Sequence, residues 1–250
     1  MNKNNPPSAI SSPPKKRLPK KIHPPYHFDC IQCGRCCSDR NTIVNLTYSD
    51  ILRMEAELNY SLEDFLKVIG FYHFDHTPTD KELEKLVVPP IETEHGLAFV
   101  GLRKKKNGRC IFLSKKNKCR IYNARPNICR TFPFHFHSSP VSFPQKGLDV
   151  HMDLTKKAIE YCPGLDSEKE IVKEDWMEIG KMTTAALLKE VVLVKKWNQA
   201  VANKKIVPRA KNYLGVVLNL LNERNKEKHR KSGKKHFQSR VKLKLQKKKK

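Results

Sequence analysis

Residues 30–37 read Cys30-Ile31-Gln32-Cys33-Gly34-Arg35-Cys36-Cys37, and this stretch holds half of the chain's eight cysteines. The spacing Cys30-x2-Cys33-x2-Cys36 sets three thiols at intervals that one tight turn can aim at a single centre. Gly34 gives the backbone the freedom to curl there with its N–H groups near sulfur. Cys37, directly after Cys36, is the unusual member. Consecutive side chains diverge in both helix and strand, so the pair is expected to face two different centres.

Cys110, Cys119, Cys129 and Cys162 complete the eight. One division sets Cys30, Cys33, Cys36 and Cys162 around one centre and Cys37, Cys110, Cys119 and Cys129 around the other. The first set ends in a cysteine followed by proline, as in bacterial ferredoxins. Other divisions stay open, as does a single centre with spare thiols. Thiolates select zinc or iron, the iron also as a [4Fe–4S] cluster, so zinc or iron in one or two centres is the cofactor expected. The C-x3-C-x2-C pattern of radical-SAM enzymes is absent: after Cys33 and Cys37, Arg40 stands where a third cysteine is needed.

The chain has 250 residues and a formal net charge of +25. Residues 1–25 hold six Lys/Arg, no acid and seven of the 16 prolines; residues 226–250 hold thirteen Lys/Arg and one Glu. Both tails read as disordered. They suit a non-specific polyanion such as nucleic acid, or simply solvation. No apolar run is long enough for a membrane span, and the N-terminus lacks the apolar core of a secretory signal. Clustered cysteines without such a signal point to the reducing cytoplasm, where thiols bind metal more often than they pair.

Between the tails, residues 26–165 read as a cysteine-cluster domain and 166–225 as a helical extension covering it. Thr42–Leu46 reads as a short strand. Thr47 with Asp50, and Ser61 with Asp64, form capping boxes that open helices. Residues 72–94 read as loop, Leu97–Leu102 and Cys110–Leu113 as strands, and Arg125-Pro126 as a helix start. Residues 135–137 and 148–154 read as extended chain, and Cys162-Pro163-Gly164 as a sharp turn. Residues 168–203 predict one or two helices. Another follows Pro208, with Tyr213, Leu214, Val217, Leu218 and Leu221 at helical spacing. The fold class expected is α+β: a small irregular domain organised by metal, with a helical C-terminal cover. His135 and His137 share one face of a strand, which suits a metal pair, although histidines so placed are more often exposed or hydrogen-bonded. Asp149 and Asp153 bracket His151 without a second acidic motif for magnesium.

The combination CIQCGRCC, CIFLSKKNKCRIYNARPNICRTFPF and CPG resembles the CxxCxxCC family, also called YkgJ-like cysteine-cluster proteins, named for chelating zinc or iron. The resemblance covers roughly residues 26–165. It implies metal ligation by the cysteines, with Tyr122, Arg125, Pro126 and Arg130 supporting the site from behind. Some relatives are flagellin lysine N-methylases, so an iron–sulfur-dependent protein lysine N-methylase is the enzymatic alternative. A nucleic-acid-associated factor working through its tails is another. The protein partner, if there is one, is unknown.

Overall fold

The computed structural model describes residues 23–84, 86, 88–138 and 149–220. The expected disordered tails therefore lie outside the described residues, apart from 23–25, and so does Leu221.

An extended run ends at Thr47, whose side chain accepts the Asp50 N–H while the Asp50 carboxylate accepts the Thr47 N–H. This closed box starts α2 (Tyr48–Leu58), and Ser61 with Asp64 starts α3 (Leu62–Val68) in the same way. Each box satisfies N–H groups that the first helical turn would leave without partners. The chain then enters β1 (Ile69–His73), which pairs antiparallel with β3 (Gly96–Leu102); β2 (Ile91–Thr93) pairs with β3 on the other side. Thr42–Leu46 is not a full strand. It shares that second edge of β3 through two bonds, Leu46 N–H to the Val100 oxygen at 2.9 Å and Leu102 N–H to the Val44 oxygen at 2.9 Å. Alternation along β3 buries Ala98, Val100 and Leu102.

A second, two-stranded sheet joins β4 (Phe134–Ser138) and β5 (Val150–Leu154). Around it, Phe28, Phe134, Leu154, Ala158 and Leu165 form a small core, with Trp176 packed against it. The larger core gathers Leu46, Ile51, Met54, Phe65, Ile69 and Ile91 with Val194, Trp197, Tyr213 and Leu214. One element serves both cores. It is α7 (Lys173–Ala202), a single 30-residue helix about 45 Å long. Trp176 lies near its start and Trp197 near its end. Trp197 Nε1–H donates to the Glu92 oxygen at 2.9 Å, tying the helix to β2. A further helix, α8, covers 210–220 and buries Tyr213, Leu214 and Val217.

The chain is thus α+β, as its sequence predicts. Three further local expectations need correction. Residues 72–94 are not all loop: β1 runs through His73, α4 (Asp80–Glu84) intervenes, and β2 follows. The pairing Tyr72↔Phe99 that makes β1 a strand is non-local, and strand preference is set by such partners; β2 pairs with β3 across the short turn at Glu94 and His95, with Ile91 opposite Ala98. Cys110–Leu113 is not a strand. Its N–H groups scatter to Cys37, Arg103 and Cys110 oxygens, so no ladder forms. Pro126 lies at the N-cap of α5 (Asn127–Thr131) rather than inside it.

Candidate metal centre

Four segments carry the cysteines to one place. Gln32 (φ 52°) and Gly34 (φ 74°) both adopt left-handed backbone and fold the first segment back on itself. A Cβ at Gly34 would lie 3.1 Å from the Asn117 oxygen, so the turn nests tightly on the second segment. Gly34 delivers the chain into α1 (Arg35–Ser38), a single turn that carries Cys36 and Cys37. The second segment is a run of turns. Cys110 N–H donates to the Cys37 oxygen at 2.8 Å, and Leu113 bridges to Cys119, so the chain doubles back and brings both cysteines inward. The third is α5, which holds Cys129. The fourth is the end of α6 (Lys156–Tyr161), followed by Cys162 and the 3-10 turn Pro163–Asp166. That turn is a close contact as well as a bend. Asp29 N–H donates to the Gly164 oxygen at 3.1 Å, and a Cβ on Gly164 would stand 2.5 Å from the Asp29 oxygen. Cys162 is thereby held beside the segment that begins at Cys30.

All eight cysteines line a single cavity of about 1080 Å³, and none is in a disulfide. The sulfurs are gathered but not drawn into a finished polyhedron, since no three of them lie within 4.8 Å of one another. One pair is close. The Sγ atoms of Cys36 and Cys37 are 3.9 Å apart, which overturns the expectation that adjacent side chains must diverge. Two sulfurs on one tetrahedral zinc, each at about 2.3 Å, are about 3.8 Å apart. One metal could therefore take both thiols.

Charge coupling shows which sulfurs feel one another. Burial pushes the Cys162 thiol up to about 11, and Cys33, Cys36 and Cys30 add to the rise. Burial likewise raises Cys129, with Cys110, Cys36 and Cys119 adding to it, and raises Cys110 with help from Cys119. Cys37 is raised chiefly by its hydrogen bond with Cys36, then by burial, with Cys129 and Cys110 contributing. Cys36 goes the other way, to about 7, because its thiolate is held by Cys37 and by backbone N–H groups, with Arg125 assisting. Cys36 thus adds to the rise of both Cys162 and Cys129, thiols carried by different segments.

The surrounding polar side chains brace the segments. Asp50, 1% exposed, caps α2, receives Arg53 at 2.6 Å, and accepts the Asn127 N–H at 2.9 Å, which fixes the start of α5 and hence Cys129. Arg53 also donates to the Arg125 oxygen at 2.7 Å. Asp39, just past α1, meets Lys157 of α6 at 2.5 Å. Burial raises the Asp39 carboxyl, but hydrogen bonds from Lys157, Thr42 and the Asn41 N–H outweigh this and hold it near 2. Sequence reading found Asp50 only as a cap and missed the Asp39–Lys157 pair, because both long-range partners are invisible to local pattern. Arg125 stacks over Tyr122, its guanidinium 3.6 Å from the ring centre, and its charge favours thiolate at Cys36 and Cys119. Arg35 and Arg120, basic neighbours of cysteines in sequence, instead bond the backbone oxygens of Tyr161 and Ile111.

The donor set fits zinc or iron. It consists of free thiols on one cavity, with a guanidinium beside them to offset thiolate charge. Comparison with known proteins agrees. The "Uncharacterized protein MJ0661" of Methanocaldococcus jannaschii is 33% identical over 159 residues, covering 63% of this chain and 67% of that protein. No solved structure matches. The CxxCxxCC pattern, described as a "Putative zinc- or iron-chelating domain", matches residues 29–163. These residues include every cysteine of the cavity, and the chain belongs to that family.

Proposed function

We propose that the protein binds metal through the thiols of this cavity, in two neighbouring groups that meet at Cys36 and Cys37. The observation that carries the reading is the convergence of eight cysteines from four separate segments onto one cavity. Cys30, Cys33 and Cys162 form one group, Cys37, Cys110, Cys119 and Cys129 the other, and Cys36 stands between them. A bound cation would compensate thiolates that are costly to form in a buried site, so uptake releases protons. Zinc would make the centre structural; iron, above all as a [4Fe–4S] cluster, would add redox chemistry. Reduced thiols suit a cytoplasmic setting. Among the described residues no helix is long and apolar enough to cross a membrane.

Metal analysis together with an anaerobic visible spectrum tests the reading. A colourless protein carrying zinc means a structural thiolate site, and a brown one means iron–sulfur. Because binding energy is folding energy, chelation under reducing conditions should strip hydrogen-exchange protection from residues 30–37 and 103–131. Full protection after verified complete metal removal would defeat the structural role of the metal, and purified reduced protein that takes up neither metal would defeat the proposal.

A further inference from the structure

A second set of donors lies outside the thiols. His135 and His137 stand on the same face of β4, two residues apart. The register of the second sheet places Asp153 directly opposite His135 and His151 directly opposite His137, so all four side chains share one face. The donor atoms of His135, His137 and Asp153 lie within 4.8 Å of one another, the only such trio of His, Cys, Asp or Glu among the described residues. His137 Nδ1 is 3.6 Å from Asp153 Oδ2. Two donors on a tetrahedral zinc, bonded at about 2.05 Å, are about 3.4 Å apart, so this pair needs almost no movement to share an ion. The imidazoles of His135, His137 and His151 stack in a row, with centroid separations of 5.7 and 5.5 Å.

We propose that His135, His137 and Asp153 form a separate site for a divalent transition cation, zinc above all, on the outer face of the β4–β5 sheet. Its donors are nitrogen and oxygen, whereas those of the cysteine groups are sulfur. Imidazole and carboxylate suit zinc, nickel or cobalt and exclude the soft-metal preference of thiolates. Three protein ligands leave a fourth position to water, and all three are exposed. The site is therefore open and exchanges its ion readily. His135 and His137 also border the cysteine cavity, so imidazole and thiol donors meet around one opening.

The test uses full-length protein as purified, its thiol centres loaded. In equilibrium dialysis against Zn²⁺, wild type should take up one more ion per chain than His137→Ala or Asp153→Asn, or bind it at least about tenfold more tightly. The number of cysteines protected from alkylation should be the same in all three. Co²⁺ added to the loaded wild type should give the weak visible bands of nitrogen and oxygen ligation without a sulfur charge-transfer band. Equal zinc uptake by wild type and both variants would overturn the proposal. So would a cobalt spectrum dominated by sulfur. Failure here leaves the thiol reading untouched, because that reading is tested on alkylation and chelation of cysteines.

Discussion

Cys36 and Cys37 show how much one residue's setting can change an inference. Neighbours on an ideal helix point about 100° apart. Yet α1 is a single turn entered from a left-handed glycine, and the two sulfurs close to 3.9 Å. Glu190 is the other residue whose setting decides its chemistry. It is 2% exposed on α7 and accepts the Tyr48 N–H at 2.6 Å and the Tyr213 hydroxyl at 2.9 Å. Burial raises its carboxyl from 4.5 to about 7, although both hydrogen bonds pull it down. A raised folded value means the protonated form is favoured by folding. Its stabilisation is complete below the unfolded value, near pH 4.5, and is lost as pH rises through about 7. Glu190→Gln should remove this slope. In denaturant titrations, the stability difference between variant and wild type should move in the variant's favour by up to about 3 kcal/mol between pH 4.5 and 7.5. A pH-independent difference would show that Glu190 stays ionised throughout.

At the scale of elements, the cysteines are delivered by short pieces that cannot hold their shape alone. Helices of four to six residues are far below the length at which isolated helices persist. α1, α5 and α6 therefore rely on tertiary anchors: Asp39 with Lys157, Asp50 with Asn127, and Gly164 against Asp29. The last anchor is the easiest to test. Gly164→Ala would drive a methyl group to 2.5 Å from the Asp29 oxygen and 2.8 Å from the Phe28 ring. The expected cost is about 1–3 kcal/mol, seen as a lower denaturation midpoint. Cys162 should also alkylate faster, while Cys119, held by a different segment, keeps its wild-type rate. An unchanged midpoint would mean the two segments do not pack as described.

For the whole molecule, α7 joins the two cores, with Trp176 against the smaller and Trp197 in the larger. The cavity lies beneath part of this helix, since Trp176, Ile179, Thr183 and Leu187 reach its lining. Charge is distributed quite differently. The segments 1–25 and 226–250 contribute +6 and +12 of the net +25, and neither contains a cysteine. Deleting both should leave the metal content unchanged and remove most salt-dependent retention on a polyanion column. Loss of metal on truncation would show that the tails support the site.

The sequence alone supplied the thiols on which the metal reading rests, because cysteines clustered at two-residue gaps suit zinc or iron. It also determined the capping boxes of α2 and α3 and the extended run that becomes β3, since each depends on residues within a few positions of one another; for 168–203 it left one helix or two, and the structure has one. Only the tertiary structure brought the eight cysteines onto one cavity. That convergence depends on a carboxylate bonding an N–H 77 residues away and on a turn pressed against a distant carbonyl. The same holds for the imidazole face of β4 and β5. His135 and His137 were visible as a pair, but Asp153 joined them only through strand register. A one-residue slip in that register would turn the partner strand's side chains to the opposite face.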